Sequence, residues 1–147
     1  MGPRHAFSLL EALASIALLG VLAAVALPSW TSASQRAQRA ELPVTLDGLL
    51  AAELAYYAAE GRYAVQPSFT PDALPGRNPR PWVGEGFDRM GYRPDGPGVI
   101  GSYAAMASPS YGIELHGISD VDGDGRWSWW RARPGEAATM MSAENAW

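Results

Sequence analysis

Residues 7–28 read FSLLEALASIALLGVLAAVALP, an apolar run interrupted by one acid, Glu11. From Phe7 to Leu27, at about 1.5 Å per residue, the run makes a helix of about 31 Å, enough to cross a hydrocarbon core. Glu11 is out of place there, because a carboxylate at bilayer depth costs about 2.5–3.5 kcal/mol even on the gentler insertion scales. The leader before it carries Arg4 and His5, and this positive end is expected to stay cytoplasmic. Two targeting readings compete. In one, Ala24-Val25-Ala26 is the small-x-small pattern cut by signal peptidase, and a soluble protein starts after Ala26. That reading leaves Glu11 unexplained. In the other, the cut lies between Ala6 and Phe7 and the apolar helix stays on the mature chain.

Composition limits what the remainder can be. At 147 residues there is room for one modest domain and an attached segment. A formal net charge of −4 argues against a protein built to coat nucleic acid. With no cysteine, disulfide staples, thiolate chemistry and zinc-thiolate sites are excluded. All the basic residues are arginine, which reads as coding bias.

After Pro28 the pattern turns amphipathic. Leu42, Leu46, Leu49, Leu50, Leu54 and Tyr57 recur at three- and four-residue steps and predict a helix continuing to about residue 60, its stripe packed against a head. Pro28, Pro43 and Gly48 are expected to interrupt it. Residues 66–98 hold seven prolines and six glycines, a density that predicts a long surface-wrapping loop pinned by Trp82, Phe87 and Tyr92. Strand signals follow. Val99–Ala107 is apolar, Tyr111–Ser119 alternates Tyr111, Ile113 and Leu115 against Gly112, Glu114 and His116, and Arg126–Arg133 sets Trp127 and Trp129 against Ser128 and Trp130. A last short strand is expected near Ala138–Met141. The fold class is therefore α+β, a long N-terminal helix with a small antiparallel sheet of three or four strands.

The leader boundary Ala6-Phe7, the stretch Phe7-Ser8-Leu9-Leu10-Glu11 and Pro28 resemble the type IV pilins and the pseudopilins of type II secretion. Their leader ends in a small residue before an aromatic that begins the mature chain, and a glutamate follows four residues later. The departure is Ala6 where glycine is usual. ELAYYAAEGRYA (Glu53–Ala64) is similar to the end of the pilin spine helix. The resemblance covers residues 1 to about 64 and is thinner beyond. It implies a division into a 1–6 leader, a 7–27 transmembrane and filament-core helix, a 28–60 continuation, and a 61–147 head, together forming a ladle. It also implies cleavage and N-methylation at Ala6 and Phe7 by prepilin peptidase. Glu11 then gains a role in assembly, its carboxylate meeting the Phe7 ammonium of a neighbouring subunit, since a buried charge is tolerable when paired.

The turn SDVDGDGR places Asp120, Asp122 and Asp124 at alternate positions with Gly125 next, as in a calcium loop, with the Arg126 carbonyl as a further ligand. Arg131 stands where a bidentate acid belongs, and strands flank the loop. The same residues also suit a plain hairpin turn. RWSWWRAR has the basic and aromatic interleaving of single-strand binders, but the acidic total makes nucleic acid an unexpected partner. His116 reads as a surface residue, and nothing suggests catalysis.

The expectation is a structural protein that needs no cofactor, calcium apart. It is made as an inner-membrane precursor and polymerised with copies of itself by pilus assembly machinery, into an extracellular pilus or a periplasmic pseudopilus. A minor pilin or pseudopilin serving DNA uptake or secretion is the alternative within the family.

Overall fold

The computed structural model describes residues 8–72 and 75–142. The chain divides into two units, one up to Arg36 and one from Ala37 onward.

The first unit is helix α1, Leu9–Arg39, which begins in it and ends just past the boundary. None of its residues is buried, and Leu22, the least exposed of its large apolar side chains, still shows 58% of its surface. Pro28 lies inside the helix without ending it. Downstream hydroxyls bond back to the carbonyls around it. Ser29 donates to Ala26, Thr31 to Pro28, and Ser32 to Pro28 and Ser29.

Helix α2, Glu41–Glu60, opens after a single turn residue, Ala40. The expected interruption thus falls between Pro28 and Pro43. Pro43 has no N–H to offer the Arg39 carbonyl four residues back, so the ladder loses its bond where α1 ends. Leu42, Leu46 and Leu49 are fully buried and Leu50 nearly so, each such side chain contributing about 1.5–3 kcal/mol. The predicted stripe ends early. Leu54 and Tyr57 are exposed, and the buried face closes on Glu53 instead.

Five antiparallel strands follow, lying in the sheet in chain order: β1 Gln66–Thr70, β2 Ser102–Ser108, β3 Gly112–Ser119, β4 Ser128–Arg133 and β5 Glu136–Met140. Tyr103 and Ala105 of β2, Ile113 and Leu115 of β3, and Ala132 of β4 meet the α2 leucines in one core. Gly117 lets the helix approach, because a Cβ there would stand 3.1 Å from Leu46 Cδ1.

The stretch 66–98 corrects the expectation of a loop without regular structure. It contains β1 and a 3-10 helix, Glu85–Met90. Pro67 is tolerated because β1 is an edge strand, registered on β2 only through Gln66 and Thr70. The aromatic pins hold as expected. Phe87 is fully buried and stacks on Trp82, and Trp82 also meets Tyr92 and Tyr103. Just past the stretch the chain is tied to α2, where the Glu41 carboxylate accepts the N–H groups of Ile100 and Gly101 and the Tyr103 hydroxyl.

Candidate functional site

Ala6 and Phe7, the expected processing residues, lie outside the described residues. The described chain opens on Ser8, which caps α1: its hydroxyl accepts the Glu11 N–H at 3.2 Å, and its carbonyl accepts the N–H groups of Glu11 and Ala12. Ser8 and Glu11 stand in the Ser-x-x-Glu spacing of a capping box. Glu11 is exposed in the first turn, where a carboxylate gains about 0.3–1 kcal/mol from the positive end of the helix dipole. The acid that disturbs the apolar run therefore suits the helix start and remains free to meet a cation.

The three aspartates are gathered between β3 and β4, with one carboxylate oxygen from each within 4.8 Å of the others. Asp120 is buried and builds the turn, accepting the Gly123 N–H at 2.7 Å on one oxygen and the Gly125 N–H at 3.1 Å on the other. Asp122 accepts the Asp124 N–H, and Asp124 accepts that of Arg126, whose guanidinium is 4.0 Å from the Asp124 carboxylate. Gly123 has φ +74, and the stem of Arg77 packs where its Cβ would be. Below the turn the hydroxyls of Ser119 and Ser128 join at 2.8 Å. Such a cluster can hold a hard cation, and its own hydrogen bonds also make it a complete turn.

Two residues differ from the sequence reading. His116 is half-buried, and its Nδ1 accepts the Trp129 indole N–H at 3.2 Å. Burial holds this imidazole below its ordinary value; Glu114 opposes the shift and Arg131 adds to it. The neutral ring is thus a packing partner on the outer face of the sheet. Glu53 was missed altogether. It is fully buried, one oxygen accepts the Ala64 N–H at 2.9 Å, the other has no hydrogen-bond partner among the described residues, and burial raises its pKa above 4.5. The signal was present in the sequence, since Glu53 falls four residues after Leu49 on the leucine face.

Residues 1–27 match the prokaryotic N-terminal methylation motif. The chain carries a prepilin-type signal. This is the signal of type IV pilins and pseudopilins, and the helix-on-sheet α+β fold is pilin-like. The prepilin signal implies processing by prepilin peptidase and assembly into pilus-like polymers, and it fits a membrane-anchored precursor. The type IV pilin-like class is structural, not enzymatic. Among curated proteins and among solved structures, none matches the chain.

Proposed function

We propose that this protein is a structural subunit of a type IV pilus or pilus-like filament, cut between Ala6 and Phe7, N-methylated on Phe7 and polymerised through its N-terminal helix. The observation that carries this reading is α1 itself, apolar from Leu9 to Leu27 apart from Glu11 and Ser15, whose hydroxyl is returned to the Glu11 carbonyl, with no residue buried. A helix apolar all round needs lipid or other helices to cover it. The precursor finds the first in the inner membrane and the filament supplies the second. Helix α2 extends the logic, because Val44 and Ala51 are exposed opposite its buried leucines. In the filament core the Glu11 carboxylate pairs with the Phe7 ammonium of a neighbouring copy. The acid thereby sets subunit register, the best-attested use of a buried charge.

Intact mass and sheared surface fibres test this directly. The mature chain is expected to begin at a methylated Phe7 and to fractionate with membrane or fibre. A soluble product beginning at Leu27 would overturn the reading in favour of ordinary signal-peptidase release. Glu11→Ala should insert in the membrane at least as well as the parent chain while fibre yield falls at least tenfold. Normal fibre yield from that variant would remove the pairing role.

A further inference from the structure

Where α1 leaves the apolar run, its chemistry changes within one turn. Leu27 is the last large aliphatic side chain, and Ser29, Thr31 and Ser32 follow with their hydroxyls returned to helix carbonyls. Among them stands Trp30, the one aromatic residue of α1, 76% exposed. Arg36 comes less than two turns later.

An indole has a large apolar ring and one N–H donor, a combination that favours the boundary layer of a bilayer over either its core or bulk water. Trp30 lies about 4.5 Å beyond Leu27 along the helix, inside a headgroup layer about 5–7 Å thick. From Arg36 the flexible side chain can reach back toward the phosphates. From Glu11 to Trp30 the helix rises about 28 Å, close to the hydrocarbon thickness of about 30 Å. When Trp30 rests in one boundary layer, Glu11 reaches the other.

We infer that Trp30 is a lipid-interface anchor that sets the depth of α1, its partner being the carbonyl and headgroup layer of the outer leaflet of a phospholipid bilayer. The inference rests on the membrane-inserted reading above. Its consequence concerns Glu11, whose carboxylate sits in the hydrated cytoplasmic boundary of the precursor. The cost of an acid at bilayer centre is thereby avoided until the subunit is drawn outward into a filament.

The full chain reconstituted in phosphatidylcholine and phosphatidylglycerol vesicles tests this with brominated phosphatidylcholines as the probe. Bromines placed shallow in the acyl chain should quench tryptophan emission more than deep ones, and Trp30→Phe should remove most of the quenchable emission. A second arm uses a nitroxide on Leu10→Cys, the chain having no native cysteine. With Trp30 in place the label should be accessible to a water-soluble relaxation agent. Moving the indole one turn back, with Ala26→Trp and Trp30→Ala together, should slide the helix outward by about 6 Å and shift the label into the oxygen-accessible core. Unchanged quenching in Trp30→Phe, or a label indifferent to the moved indole, would overturn the anchor while leaving the spanning helix standing. A chain that fails to float with the vesicles would overturn both.

Discussion

Each of the two helices carries a glutamate among apolar residues, and the two acids meet opposite fates. Glu11 is exposed on a helix with no buried residue, whereas Glu53 is fully enclosed by a head whose described residues supply one backbone N–H and nothing for its second oxygen. Both helices are rich in Leu and Ala, so composition does not separate them. What separates them is the sheet. Helix α2 lays Leu42, Leu46 and Leu49 on β3, β4 and β5 and gains its stability within the chain, whereas no residue of α1 is buried. One helix folds a domain; in the function proposed above, the other builds an assembly.

The largest test of that division removes a leucine from each helix. Leu46→Ala should lower the head's unfolding free energy by about 2–5 kcal/mol, read from the denaturant midpoint of the full chain in detergent micelles. Leu18→Ala should leave that midpoint unchanged. Equal losses from the two substitutions would erase the distinction between the helices.

Next in size is Asp120→Ala. It removes the carboxylate that accepts the N–H groups of Gly123 and Gly125 at the base of the β3–β4 turn, and hydrogen bonds to a charged group contribute about 1.5–3 kcal/mol. Asp122→Ala touches one longer, exposed bond and should cost much less. The same denaturant titration ranks the two, and a milder Asp120 variant would mean the turn is held elsewhere.

Glu53 sharpens the comparison through pH. Burial raises its folded-state pKa above 4.5, so between the unfolded and folded values the native head holds a proton that the unfolded chain has released. Stability from this group is therefore present below pH 4.5, declines as pH rises through the raised folded value, and is level beyond it. Glu53→Gln should abolish that decline, while Glu11→Gln should leave it in place. Denaturant midpoints between pH 4 and 8 distinguish the outcomes, and a slope surviving in Glu53→Gln would assign it to another group.

Calcium is expected to have the smallest effect. For a Kd of about 10⁻⁴ to 10⁻³ M, millimolar calcium adds at most about 1.4 kcal/mol, a rise of a few degrees in the melting temperature of the head. Replacing both Asp122 and Asp124 with Asn should remove the rise. Identical melting in calcium and in chelator would leave the aspartates as turn formers alone.

Much of this was legible in the sequence, for physical reasons that can be named. The apolar run and Glu11 were plain because a membrane helix has no competing pattern, and β3 was plain because Ile113 and Leu115 alternate with polar neighbours. Strand β1 was hidden by Pro67, which argues against a strand unless its edge position is known, and that is a tertiary fact. The helix break at Ala40 was displaced from every predicted breaker because a proline removes the bond to the residue four before it. The Asp spacing located the turn but could not reveal that Asp120 was already engaged by two backbone N–H groups. His116 misled because alternation assigns a face without showing that a neighbouring tryptophan will lean over it.

The order of strands in the sheet is the order of strands in the chain. Strands β3, β4 and β5 each follow their sheet neighbour after a short connection, contacts local enough to form quickly, whereas β1 meets β2 only after the long stretch between Thr70 and Ser102. The long-range tie comes last. The Asp47 carboxylate on α2 accepts the Ala138 N–H of β5 at 2.8 Å, a bond that waits on a strand far along the chain from the helix. A head truncated before β5 would keep the β2–β3 and β3–β4 hairpins and lose this bond.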